Sequence, residues 1–249
     1  MKLQPRHRAR GVSLVEILIG LAVGLLLLTG LSSMVVGSRQ TSRIERNLLE
    51  VQSSGRIAVE TMAREVRKAG FRSNRERSLN DIFPLAASTF TTAGAVVTGM
   101  AATGEVNVRF QGSGDGWTTD CLGNAIGDGE SLWQTLSLQS GQLVCRVRNM
   151  NTLTDQSLAL IPQVEAMDIS YGVDADGDGY ADSYASAAAV TDWTRVASVN
   201  VQLRMVSSED HLTDGAQPYL DFNGNAVTPT DQRLRRNFSA VIALRNLLP

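Results

Sequence analysis

Hydrophobic and polar positions divide this chain into three regimes. From Val12 to Ser38 the sequence is almost uniformly apolar, and Glu16 is the only ionisable side chain in it. From Thr41 onward, Ile44, Leu48, Val51, Ala58, Met62, Val66 and Ala69 recur at three- and four-residue steps, with Arg and Glu on the other faces. That spacing is one apolar stripe of an α-helix. No proline interrupts the chain between Pro5 and Pro84, and Gly70 followed by Phe71 makes a stop signal. The pattern predicts a single helix over residues 12–70, locally weakened at Ser53, Ser54 and Gly55. Residues 71–103 are rich in Ser, Thr, Ala and Gly and read as irregular. Period-two alternation then takes over. Val106 to Phe110 alternates, and Leu132–Leu138 and Leu143–Val147 flank Gln139-Ser140-Gly141-Gln142 as a hairpin. Val164–Val173, Arg195–Val206 and Phe238–Leu244 are the remaining strands, and Asn200–Val206 alternates as a strand with one wet face should. The fold class predicted is α+β, a long N-terminal helix packed on an antiparallel sheet head.

The apolar run changes where that fold must live. As a helix, Val12–Val36 spans roughly 37 Å at 1.5 Å per residue, enough to cross a bilayer with some tilt. The preceding Lys2, Arg6, His7, Arg8 and Arg10 carry no acid among them. They hold the leader in the cytoplasm and send the long C-terminal part across. An ordinary secretory signal has a shorter core with its cleavage site after it. Here the candidate processing glycine, Gly11, comes first, so cleavage leaves the anchor on the mature chain. A carboxylate in such a segment is expensive and by default functional, with a cationic partner to be found. The Val12 amine that cleavage would liberate is such a partner, on this subunit or on a neighbour. Gly20-Leu21-Ala22-Val23-Gly24 adds a GxxxG element at which a second helix could approach closely.

Gly11-Val12-Ser13-Leu14-Val15-Glu16-Ile17-Leu18-Ile19 resembles the class III leader junction of type IV pilins and type II secretion pseudopilins. The resemblance implies a prepilin peptidase that cuts after Gly11 and methylates Val12, and it makes Glu16 the fifth mature residue. Val12 stands where the family usually has phenylalanine. Within the family, the run Gly20–Leu28, the helix end Ala63–Phe71 and the closing Arg236–Asn246 look most like PilW-type minor pilins. The implied organisation is a cleaved leader over 1–11, an N-terminal helix over 12–70 whose residues 12–36 span the inner membrane, and a periplasmic β-rich head over 71–249. The implied role is a structural subunit that primes pilus assembly with other minor pilins and the major pilin, near the tip, where it could present an adhesin. A minor pseudopilin of type II secretion shares the leader, Glu16 and fold. A membrane-tethered calcium-dependent binding module is the alternative from a different class.

Charge narrows the partners. Without residues 1–11 the chain carries 19 Lys/Arg against 25 Asp/Glu. Residues 39–77 hold ten Lys/Arg against five Glu, and residues 78–249 hold nine Arg against 19 acids. The basic part can lean on anionic headgroups or acidic neighbours, or simply be a solvated helix face. The acidic head argues against direct nucleic-acid binding. The only cysteines, Cys121 and Cys145, both lie in the exported part, where an oxidising compartment favours pairing them over two free buried thiols.

One motif suggests an ion. Asp174-Ala175-Asp176-Gly177-Asp178-Gly179-Tyr180-Ala181-Asp182 puts carboxylates at loop positions 1, 3, 5 and 9, glycine at 6 and the Tyr180 carbonyl at 7, the spacing that wraps oxygen ligands around calcium. Ala185 stands where a bidentate glutamate would complete an EF-hand, and no helix flanks the loop. The motif therefore reads as a calcium-binding β-loop drawing a ligand from elsewhere, Asp192 for example, or as an exposed Asp/Gly turn. Asp221-Phe222-Asn223-Gly224-Asn225 reads as an Asx/Gly turn. Catalysis finds little support: His7 goes with the leader, His211 sits in a polar loop, and no Gly-x-Ser-x-Gly elbow occurs. Trp117, Trp133 and Trp193 are expected to be core or loop packing.

Overall fold

A computed structural model describes residues 13–86, 89–100 and 104–247. Helix α1 runs Leu14–Arg67, and a single turn of helix, α2, spans Leu79–Ile82. Eleven strands follow: β1 (Val97–Met100), β2 (Glu105–Gln111), β3 (Ser131–Gln139), β4 (Gln142–Asn149), β5 (Asp155–Pro162), β6 (Val164–Val173), β7 (Ser183–Ser186), β8 (Val196–Val206), β9 (Tyr219–Leu220), β10 (Ala226–Val227) and β11 (Arg235–Ala243). By internal contacts the chain divides into two units, residues 1–46 and 47–249.

In the first unit the side chains of α1 are exposed along the apolar run, from Leu14 to Val36. Two of its hydroxyls are satisfied within the helix, Thr29 donating to the Leu26 carbonyl and Ser33 to that of Gly30, each at 2.8 Å. Such back-bonding lets a hydroxyl sit in an apolar medium without an unmet donor.

The second unit holds the core. All its sheets are antiparallel: a five-stranded sheet in the order β1-β2-β3-β4-β5, a four-stranded sheet in the order β11-β8-β6-β7, and the small pair β9 and β10. One apolar cluster joins Val51, Ala58, Met62 and Val66 of α1 to Val106, Val108, Leu136 and Cys145 of the first sheet and Val199, Leu203 and Ile242 of the second. The predicted stripe is thus the buried face of α1 from Val51 onward, while Ile44 and Leu48 stay partly exposed. The predicted hairpin forms as β3 and β4, joined by Ser140 (φ 49°) and Gly141 (φ 74°). Two consecutive positive φ values are what a tight two-residue hairpin connection requires.

Three expectations need correction. Gly55 does not interrupt α1, and it has a packing role that the sequence did not suggest. It is buried, and a Cβ there would come closer than 3.0 Å to Cε2, Cζ and Cδ2 of Phe238 on β11, so the missing side chain lets strand and helix meet. Residues 71–103 are not wholly irregular, since α2 and β1 lie within them and Ser78 caps α2, accepting from the Asp81 amide. Strands β5 and β7 were not legible from alternation. β5 sits at a sheet edge and is exposed through most of its length, so no burial imposes a pattern on it.

Candidate functional site

Glu16 lies in the first turn of α1, its amide donating to the Ser13 carbonyl at 3.0 Å. It is exposed, as are the apolar neighbours Val15, Ile17 and Leu18. Gly20 and Gly24 have nothing within 4 Å of a Cβ position, so the GxxxG face is open. Gly11 and Val12 lie outside the described residues. The arrangement is an acid with no side-chain partner among the described residues, one helical turn from an open small-residue face, on a helix long and apolar enough to cross a membrane.

Where α1 ends, the second unit is tied together by a polar relay. Glu65 is 1% exposed despite its charge. Its carboxylate pairs with Lys68 at 2.6 Å and Arg64 at 3.0 Å, and accepts from Nε2 of Gln134 on β3 at 3.1 Å. Gln134 in turn accepts the Cys121 amide at 2.7 Å, and Lys68 donates to the Thr119 carbonyl at 2.8 Å. A buried carboxylate is tolerable only with such partners. Cys121 and Cys145 form a disulfide, which fixes the same loop to β4. Sequence periodicity placed Glu65 among solvated positions; Gln134, 69 residues away, supplies the contact that reverses this.

The aspartate loop connects β6 to β7. It brings carboxylate oxygens of Asp174, Asp176 and Asp182 within 4.8 Å of one another. Asp178 stands outside this trio and accepts the Tyr180 amide at 2.8 Å, while the Tyr180 ring is exposed. Asp192 is engaged elsewhere, accepting the Thr194 amide and hydroxyl. The trio consists of hard oxygen donors, which suits calcium. Each carboxylate nonetheless already accepts loop amides: Asp174 from Gly179 (2.8 Å) and Gly177 (2.5 Å), Asp176 from Asp178 (3.2 Å), and Asp182 from Ala175 (2.7 Å). Those amides, Gly179 foremost, hold the Asp174 carboxyl below the usual range. Asp221 behaves as a plain Asx turn, accepting from the Asn223 and Asn225 amides at 2.9 and 2.8 Å.

Of the three tryptophans, Trp133 is buried, edge-on to Phe90, and Trp193 packs edge-on against Tyr171. Trp117 departs from the packing expectation. It is 89% exposed, on a loop whose glycines carry no alternation from which exposure could be read.

Comparison with known families places both ends of this description. Residues 6–32 match the prokaryotic N-terminal methylation motif, and residues 129–246 match the family of type IV pilus-assembly protein W. Over these two segments the chain is similar to type IV pilin-like proteins. Its methylation-motif match takes in Gly11, Val12, Glu16 and the apolar run as far as Ser32; its PilW match takes in β3 through β11, Cys145 and the aspartate loop. A type IV-like pilin from Thermus thermophilus covers 80% of this chain and 98% of its own at 16% identity, with a TM-score of 0.48. A search of curated proteins gives no match. The family is one of structural pilins, and the apolar helix with its class III leader fits a membrane-anchored member of it.

Proposed function

We propose that this chain is a minor pilin, held in the inner membrane by residues 12–36 after removal of residues 1–11, that joins other minor pilins and the major pilin to prime pilus assembly at or near the tip. It acts by assembly and not by catalysis. The observation that carries this reading is Glu16, exposed in the first turn of α1 and, among the described residues, the one charged side chain of its apolar run. In lipid such a carboxylate is stabilised by an ammonium group within about 4–6 Å. The N-terminal amine freed by prepilin peptidase at Val12 of a neighbouring subunit supplies one. Lateral pairing of helices then becomes the least costly state for the anchor, which drives subunits into a filament. Replacing Glu16 with Leu tests this: the protein still inserts in the membrane, but pili, and with them twitching or adhesion, are lost. If pili form normally, the reading fails. If instead a secretion phenotype appears with pili intact, the subunit is a type II secretion pseudopilin.

The convergence of Asp174, Asp176 and Asp182 favours a second, compatible reading in which the β6–β7 loop takes calcium. Melting the full-length protein in detergent with calcium and with chelator decides it. Calcium raises the midpoint if the loop binds it, and an unchanged midpoint leaves the loop a self-satisfied turn.

A further inference from the structure

The carboxyl end of α1 carries a cleft that neither the anchor nor the assembly reading uses. Arg64, Arg67, Lys68, Phe71, Trp117 and Thr119 are among the residues that line it, around a volume of about 340 Å³. Trp117 is the most exposed large apolar side chain described anywhere in the chain. Leaving an indole in water forgoes a large burial energy, and Trp is enriched where partners cover a surface. The loop presenting it is pre-ordered. Asp115 accepts the Trp117 amide at 2.9 Å and the Ser113 hydroxyl, which together hold its carboxyl below the usual range. Four residues on, the Cys121–Cys145 disulfide and the Glu65–Gln134 relay fix the loop to β4 and α1.

The cleft has a definite charge. Three cations line it, and the buried carboxylate of Glu65 pairs with two of them, Arg64 and Lys68. The carbonyls of the helix end do not offset this, because Asn246 caps those of Arg67 and Ala69 at 3.0 and 3.1 Å. Two acceptors that could serve a polyhydroxylated ligand are already engaged: the Thr119 carbonyl takes Lys68, and the Thr118 hydroxyl meets Ser113. What the cleft offers is guanidinium donors beside two aromatic faces. Guanidinium forks match carboxylates, and the rings of Trp117 and Phe71 match an apolar side chain.

We propose that this cleft docks an acidic, apolar-bearing peptide segment of another protein subunit, with carboxylates on Arg64 and Arg67 and an apolar side chain against Trp117. The recognition is a charge-assisted anchor around one exposed aromatic, the composition of an interface hot spot.

The test uses full-length protein in detergent micelles and, as probe, a ten-residue peptide of alternating Glu and Leu. Binding shields Trp117 from acrylamide and shifts its emission to the blue, a signal absent in Trp117→Phe. Trp117→Ala and Arg67→Glu each weaken binding by at least about tenfold, as loss of a hot-spot residue does. Both side chains are exposed, so the melting midpoint stays put and verifies that the variants fold. Raising the salt concentration weakens the wild type more than Arg67→Gln. No shielding by the peptide, affinity unchanged in both variants, or stronger binding of polygalacturonate or anionic vesicles than of peptide would each overturn the proposal.

Discussion

Gly55 offers the sharpest test of how α1 meets the second sheet. In Gly55→Ala two effects oppose each other. Alanine in a helix interior is favoured over glycine by about 1 kcal/mol. Against this, the new Cβ would lie closer than 3.0 Å to three ring atoms of Phe238, so the partly buried ring must leave its seat or β11 must shift. Overpacking of this kind costs about 1–3 kcal/mol. The net effect in the wild-type background is therefore a loss of up to about 2 kcal/mol, or several degrees in Tm for a domain of this size. Because the opposing terms nearly cancel at one end of that range, a double-mutant cycle with Phe238→Ala is the decisive assay. Without the ring, Gly55→Ala should stabilise by the full ~1 kcal/mol of helix propensity. The coupling between the sites, read by denaturant unfolding of the purified protein, is then about 1–3 kcal/mol. If Gly55→Ala stabilises equally in both backgrounds, β11 does not pack on α1 at this point and the reasoning is refuted.

Further predictions follow from the second unit. Removing the disulfide with Cys121→Ser and Cys145→Ser should cost roughly 3–4 kcal/mol, the chain-entropy value for a loop of about 25 residues, measurable by urea unfolding. Glu65→Ala, which breaks a buried ion pair, should destabilise by about 3 kcal/mol, because the Lys68 ammonium and the Gln134 side-chain NH2 lose their carboxylate. Asp231, beside Arg235 at 2.6 Å, has its pKa lowered from 3.8 to about 2 by that hydrogen bond. A depressed carboxyl stabilises the fold above its ordinary pKa and loses that contribution as pH falls from about 4 toward 2. Asp231→Asn should flatten the fall of Tm across that window, and an unchanged acid melting curve would count against the pairing.

What the sequence made legible and what it hid divide along physical lines. Long-period signals survived: the apolar run and the stripe through Val51, Ala58, Met62 and Val66 set one helix, and the Ser140-Gly141 turn fixed the β3–β4 hairpin. Residues whose role depends on distant partners were hidden. Gly55 looks like a helix breaker until Phe238, far along the chain, is brought against it. Glu65 looks solvated until Gln134 and the disulfide loop close over it. Strand β2 illustrates a third case, for it is buried on both faces. Its Arg109 is 3% exposed, with its guanidinium donating to the carbonyls of Ala95, Pro84 and Phe83 over the Phe90 ring. Burial lowers the Arg109 pKa to about 10, and carbonyl dipoles take the place of a counter-ion. Alternation alone reads such a residue as solvent-facing. At the candidate site, Glu16 and the aspartate loop were visible because their chemistry is local. The Trp117 cleft was not, because its cations come from a helix end some fifty residues before its aromatic.

The intact mass of the protein extracted from membranes tests the assembly account most directly. Maturation at the leader junction predicts a chain beginning at Val12 with one added methyl group on its amine, leaving Glu16 fifth from the new terminus. A chain that retains residues 1–11 would leave Glu16 without its ammonium partner, and one cut beyond the apolar run would lack Glu16 altogether; either contradicts the account.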